Sequence, residues 1–395
     1  VGSSFLGVTG LMPTQMENRN LTWETATTTN VGMDLSFLNN RLSATVDWFE
    51  RRTIDMVGPS QAMPGVLGTS VPKENNSTLR TRGWEISLNW KHALENGLSY
   101  NLGISLYDYK SVVTKYFNPT GTLSTWYEGA EVGDIWGYTV NDLFRSQEDL
   151  DSYLSKVDMT HIAANWNTGD LKYEDIKHDG KVNNGTNTIG NHGDLSVIGN
   201  DQPHYQYTIN GGVSYKGFDF SMLWRGVAKK DMYFYRGSNI YWGFMGGWWE
   251  SCLTPEHLDY FRDQPGSKYS GLYEGDANIN TDAYWPRPYL NNTEEAKNKN
   301  HANTRYLQNA AYLRLQNVQL GYSFPRSITS KMHLEKLRIY FSGENLLTFS
   351  KLPSGIDPVA PVGFPTGGEF FGTAGSGRLT YGADRIYSIG LTVTY

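Results

Sequence analysis

Apolar and polar residues alternate along most of this chain, the period of a strand whose two faces meet different surroundings. The C-terminus carries the pattern most clearly. Tyr387, Ile389, Leu391, Val393 and Tyr395 fall on one side, and Ser388, Gly390, Thr392 and Thr394 on the other. The same alternation runs through 31–37, 42–48, 84–90, 98–106, 205–215, 218–224, 318–324 and 337–341. It predicts about nine strands of about 8–12 residues, the length a tilted strand needs to cross a bilayer.

The connections alternate as well. Short ones lie at 39–40, 91–97, 216–217 and 325–336, and long ones at 51–81, 108–203, 228–311 and 347–384. A transmembrane β-barrel has short turns at its periplasmic end and long loops outside. A soluble β-sandwich, the other fold with alternating strands, has no reason to gather every long loop at one end. Aromatic residues also sit at strand ends, among them Trp48, Phe49, Trp84, Trp90, Tyr205, Tyr215, Tyr322, Phe324 and Tyr395, as interfacial girdles require. The expected fold is therefore all-β: a transmembrane antiparallel β-barrel in the outer membrane, with its long loops extracellular. If the last strand ends in the periplasm, nine strands place residues 1–29 in an outer loop. Complete barrels of this type have an even strand count. Residues 1–395 are thus expected to be the C-terminal part of a larger barrel, and Val1-Gly2-Ser3-Ser4 reads as a start inside a longer protein.

Composition narrows the function. Of 395 residues, 14% are aromatic and 19% charged, the latter below the ~25% of soluble domains. No apolar run is long enough for a membrane helix. A net charge of −6 speaks against nucleic acid as a partner. The lone Cys252 excludes an internal disulfide framework and a cysteine-based zinc site. The eight His show no metal-ligand spacing, and there is no nucleophile elbow, phosphate loop or dinucleotide fingerprint. No enzyme is expected, and no cofactor is required.

Several residues stand out against this background. Arg338, Tyr340, Ser342 and Glu344 alternate with Leu337, Ile339 and Phe341. An Arg facing lipid near the midplane costs about 2–4 kcal/mol, so Arg338, Tyr340 and Glu344 are expected to face the lumen. Trp242, Trp248, Trp249, Tyr284 and Trp285 lie in the third long loop, where rings either contact a ligand or a lid protein or pack the loop itself. Ser388, Gly390, Val393 and Tyr395 fit an outer-membrane assembly signal. Residues 146–156 predict a short helix capped by Ser146. Asp175 to Asn183 has the outline of a calcium loop: Asp175, Asp179, Gly180 and Lys181 occupy its first, fifth, sixth and seventh places. The third place is Lys177 and the twelfth Thr186, neither an acidic ligand. The Lys177 ammonium is expected to stand in for the ion and neutralise Asp175 and Asp179.

Segments spread along the chain carry a family resemblance. They are Leu21-Thr22-Trp23-Glu24, Asn30 to Asp34, Phe37 to Leu42, Gly133 to Tyr138, Tyr173 to Val182, Ser214 to Asp219, Tyr312 to Pro325 and Gly343 to Leu346. Together and in this order they resemble the C-terminal barrel portion of SusC/RagA-type TonB-dependent outer-membrane transporters of Bacteroidetes. The resemblance implies a barrel of about 22 strands with a plug domain and N-terminal strands upstream of this chain. It also implies a SusD-like lipoprotein over the loops and a TonB complex acting on the plug. The implied function is import of large nutrients, oligosaccharides first and oligopeptides next. A passive porin or ligand-binding barrel without energy coupling is the alternative, with a barrel enzyme behind it.

Overall fold

The computed structural model describes residues 17–61, 71–233, 255–268, 273–289, 292–353, 356–359 and 383–395. In the first part of the chain come β1 (Thr25–Phe37), β2 (Leu42–Gly58), β3 (Glu74–Ala93), β4 (Ser99–Lys115), β5 (Asp134–Tyr138), β6 (Val140–Leu143), helix α1 (Gln147–Leu154), β7 (Leu171–Tyr173) and β8 (Leu195–Asn200). There follow β9 (His204–Tyr215), β10 (Phe218–Lys229), β11 (Asp231–Tyr233), α2 (Asn292–Lys299), β12 (Leu307–Asn309), β13 (Tyr312–Ser323), α3 (Arg326–Thr329), β14 (Lys336–Ser350) and β15 (Ile386–Thr394). Nine of these strands form one sheet in the order β1-β2-β3-β4-β9-β10-β13-β14-β15. They are the nine that the alternation predicts.

Within this sheet the pairings from β4 to β15 are antiparallel, and their register turns the period-two pattern into two chemically distinct faces. Tyr100, Val213, Phe220, Leu320, Phe341 and Ile389 lie side by side across six strands. The next row, Asn101, Gly212, Ser221, Gln319, Ser342 and Ser388, points the opposite way. A slip of one residue in any strand would exchange the two rows, so the register is strongly specified. Among the described residues the apolar face is open: Ile389 is 80% and Leu391 63% exposed. Uncovered apolar area of this extent marks a face that meets lipid or protein.

Several strands are longer than expected. β3 has 20 residues and β2 and β4 have 17 each. Pairing outlasts the alternation because polar side chains reinforce the ladder where no apolar face is needed. The Asn75 carboxamide donates to the carbonyls of Asp55 (2.6 Å) and Thr22 (2.9 Å) and accepts from Thr22 N–H (2.8 Å). Glu50 is held between Arg52 (2.7 Å) and Arg82 (2.5 Å).

The short connections have turn chemistry suited to their geometry. Lys216 and Gly217 both take left-handed backbone angles (φ 47° and 90°), as a two-residue hairpin with right-handed strand twist demands. Leu38, Asn39 and Asn40 are also left-handed, the two Asn tolerating it more readily than Leu38.

By internal contacts the chain divides into two compact units. One comprises Val1–Val31, Trp48–Gly83 and Tyr109–Val132; the other comprises Gly32–Asp47, Trp84–Asp108 and Gly133–Tyr395. The principal buried core lies in the second unit, and it belongs to the long connections, not to the sheet. Leu143, Phe144, Leu150, Met159, Leu171, Tyr173 and Val182 from one connection pack with Met232, Tyr233, Phe261, Trp285 and Tyr306 around the next. Burying a side chain such as Leu143 or Leu171 contributes about 1.5–3 kcal/mol each. Two of the long connections therefore fold into a cap with its own core. Helix α1 stands as expected: Ser146 Oγ accepts from Asp149 N–H, and Leu150 is buried.

Candidate functional site

Two surfaces can meet another molecule: the polar face of the sheet and the cap. Around β4 and β9 the polar face is built from small neutral side chains. Ser87 bonds Ser105 (3.0 Å), Ser99 bonds Ser214 (2.6 Å), and Tyr107 donates to Gln206 (2.8 Å). Carboxamides lie over glycines: Asn89 and Asn210 flank Gly103, and Asn101 covers Gly212. A β-carbon at either glycine would collide with them. A trough of about 780 Å³ opens along this face toward the short turns, lined by Asn40, Lys91, Asn101, Gly212, Ser214 and Ser221.

Arg338 and Tyr340 lie on this polar face. The Arg338 guanidinium crosses the intervening strand β13 above Gly321 and grips Asp219 on β10 at 3.0 and 2.5 Å. It also donates to Gln319 Oε1 (2.9 Å) and lies 4.9 Å from the Tyr340 ring centre. Tyr340 extends over Gly390 on β15. Asp219, Arg338, Tyr340 and Gly390 thus form a chain of contacts across four strands, with Gly321 as the gap that lets it pass. Glu344 shares the face, opposite Asn317 and Ile386, and is exposed. Ser388 sits opposite Ser342 and Val393 opposite Leu337, while Tyr395 is 96% exposed.

The cap joins two connections through a buried charge. Asp170 and Lys297 are 0% and 1% exposed and form an ion pair of 2.8 Å. Tyr289 Oη (2.8 Å), Asn298 Nδ2 (3.0 Å) and Asn167 N–H (2.7 Å) also donate to the Asp170 carboxylate. The ammonium reaches the Asn165 carbonyl at 3.2 Å and lies 4.6 Å from the Tyr289 ring centre. A buried pair is tolerable only when its remaining donors and acceptors are met in this way. Backbone bonds run alongside: Tyr138 N–H to Ala302 C=O (2.8 Å), Thr304 N–H to Tyr138 C=O (3.1 Å) and Arg287 N–H to Gly169 C=O (2.9 Å). Burial, with the Asp194 carboxylate nearby, pushes the Tyr138 phenol well above its ordinary value. No sequence spacing signalled Asp170 or Lys297, because they lie 127 residues apart in sequence and meet only in the folded chain.

Of the aromatic residues singled out in the sequence, Trp242, Trp248 and Trp249 lie outside the described residues. Tyr284 is 40% exposed, with the Arg305 guanidinium 4.8 Å from its ring centre and its hydroxyl bonded to the Arg305 carbonyl (2.9 Å). Trp285 is part of the cap core, 5% exposed and packed on Tyr306. Of this pair, Tyr284 offers the ring surface.

The calcium-like turn is closed by its own backbone. Asp175 accepts from Gly180 N–H (2.8 Å) and Asp179 N–H (3.2 Å), and Asp179 accepts from Lys181 N–H (3.0 Å). Buried Asp194 holds the turn from the other side, accepting from Lys177 N–H (3.1 Å) and Asn183 N–H (2.8 Å). The role expected of Lys177 needs correcting. Its ammonium donates to Asn191 Oδ1 (3.3 Å) and makes no ion pair with Asp175 or Asp179. Backbone N–H groups meet those carboxylates instead. Among the described residues, no group of three or more His, Cys, Asp or Glu side chains converges as a metal site.

Known proteins place this architecture. No family model matches the chain. TonB-dependent receptor P3 of Formosa agariphila is 24% identical over 372 residues, covering 89% of this chain and 32% of that protein. TonB-dependent receptor SusC of Bacteroides thetaiotaomicron is 23% identical over 360 residues, covering 88% and 30%. The chain thus spans about a third of the length of the curated relatives it matches. Among solved structures, the RagAB peptide transporter contains a chain that superposes with a TM-score of 0.64 at 20% identity, covering 96% of this chain and 36% of that one. The RagAB peptide importer in its open-open state gives 0.62 at 19% identity, over 97% and 36%. The nine-stranded sheet has the fold of the RagAB transporter chain, and along most of its length the sequence is similar to TonB-dependent receptors, SusC among them.

Proposed function

We propose that this chain is the C-terminal wall and loop portion of a TonB-dependent importer of large nutrients in the outer membrane. The observation that carries the reading is the division of one antiparallel sheet into an exposed apolar face and a polar face, with two of its long connections folded into a cap. The apolar face meets outer-membrane lipid, the polar face lines the lumen, and the long loops stand outside the cell. The remainder of the same barrel and the plug belong to the rest of the protein, and TonB acts through that plug. A SusD-like lipoprotein covers the cap, with Tyr284 among its contacts or those of the cargo.

The cargo is a large polar nutrient, an oligosaccharide before an oligopeptide. The hydroxyl and carboxamide floor of β4 and β9 supports a neutral cargo; on β10 the Asp219 charge is met by Arg338, while Arg225, opposite Thr208, is exposed on the same face. The likeness to a peptide transporter keeps the oligopeptide second. Nothing in the reading assigns covalent chemistry to these residues.

The test is uptake by cells carrying the complete protein, with native mass spectrometry of the purified complex. Uptake should stop when the proton-motive force is dissipated, and the complex should contain a lipoprotein and a cargo mass. Uptake that continues undiminished in de-energised cells would establish the passive-pore alternative.

A further inference from the structure

The short-turn end of the sheet carries a charge opposite to that of the whole chain. Arg41, Lys91, Lys216, Arg326, Lys331 and Lys336 all lie on or beside the four short connections, and all six are exposed. None forms an ion pair with a described residue. Acidic residues at this end are Glu95 and Glu335, while Asp219 is occupied by Arg338. A chain of net charge −6 thus concentrates unpaired positive charge on one rim.

The rim is also apolar in a particular way. In the segment from α3 through the 3-10 turn Ser330–Met332, Ile328 is 44% and Met332 53% exposed, four residues apart, and they alternate with Arg326 and Lys331. Beside it, on the apolar face of the sheet, Phe218 packs on Tyr322 (4.6 Å between ring centres) and Tyr322 on Phe324 (5.1 Å). The Lys216 ammonium lies 5.0 Å from the Tyr215 ring centre, at the edge of the same aromatic group. Basic residues alone would suit any acidic partner. Basic residues interleaved with exposed aliphatic ones, next to an aromatic band, suit the boundary between headgroups and acyl chains.

We infer that this rim is a binding surface for anionic phospholipid headgroups of the adjacent leaflet, with Lys216, Arg326 and Lys331 meeting phosphate and Ile328 and Met332 entering the acyl boundary. The inference rests on the membrane-wall part of the proposed function, but not on TonB coupling or on the cargo. Lipid selectivity can therefore fail while energised uptake is retained, and the reverse.

The test uses the complete protein in neutral detergent, given phosphatidylglycerol and phosphatidylcholine at equal concentration and read by native mass spectrometry. Phosphatidylglycerol should be retained ~10-fold better, and the preference should shrink as salt is raised. The triple variant K216Q/R326Q/K331Q should bring the ratio close to one while its heat-modifiable gel mobility stays unchanged. In I328S/M332S, retention of both lipids should fall several-fold with the preference for phosphatidylglycerol kept. Equal retention of the two lipids by the unmodified protein would overturn the inference, as would an unchanged ratio in the triple variant. Strong binding of soluble polyglutamate that phosphatidylglycerol does not displace would assign the rim to an acidic protein partner instead.

Discussion

At the residue scale, Asp170 and Lys297 carry the greatest energetic consequence among the described side chains. Removing Lys297 leaves the Asp170 carboxylate charged and buried, which costs about 3–5 kcal/mol; removing Asp170 leaves the buried Lys297 ammonium with Glu294 alone, at 3.2 Å. Asp170→Asn should therefore raise hydrogen exchange in residues 165–173 and 292–303 while leaving the sheet protected. The double variant Asp170→Asn/Lys297→Met should regain most of the protection, since it buries no unpaired charge. Equal exchange in the single and double variants would mean that the carboxylate acts through Tyr289 and Asn298 and not through the ion pair. Neither residue could be picked out from the sequence. Asp170 sits in an ordinary Gly-Asp turn, and α2 has no apolar stripe to announce a buried face. Arg338 was legible because a charge inside an alternating strand has only one affordable side.

At the scale of elements, the pairing of β14 with β15 depends on one small residue. Tyr340 occupies the space that any side chain at Gly390 would need. Gly390→Val should displace the ring at a cost of about 1–3 kcal/mol and lower the amount of folded protein in the outer-membrane fraction several-fold. Ser388→Ala, two residues earlier on the same face, should leave it nearly unchanged. Heat-modifiable mobility of membrane extracts reads both, and equal effects would remove any special role for the Tyr340–Gly390 contact. All nine sheet strands were legible in the sequence because each has one wet and one apolar side. Their full lengths were not, since β2 and β3 continue into stretches such as Glu74 to Gly83 where the alternation fades and hydrogen bonding alone holds the pairing. The cap was illegible for a related reason. Its core residues sit singly among turns, and only the folded chain gathers Phe144, Met159, Tyr173 and Phe261.

For the whole molecule, the open question is what the two edge strands meet. β1 and β15 each have one hydrogen-bonded neighbour within this sheet. Unpaired backbone groups cannot remain in hydrocarbon, so residues 1–395 expressed alone should not refold into a protease-resistant, heat-modifiable monomer. On the proposed function, co-expression with the upstream barrel strands should restore one. A stable monomer from this chain alone would require β1 to pair with β15.

The ion pair between Asp170 and Lys297 also bears on how such surfaces diversify. Residues 133–200 and 255–311 are tied through shared backbone bonds and one buried charge, so neither is a free module. A graft of either segment from a relative would bring in one half of a lock without its key. Recombination that exchanges either segment between related proteins should accordingly carry both across together, with the strands β9 and β10 encoded between them.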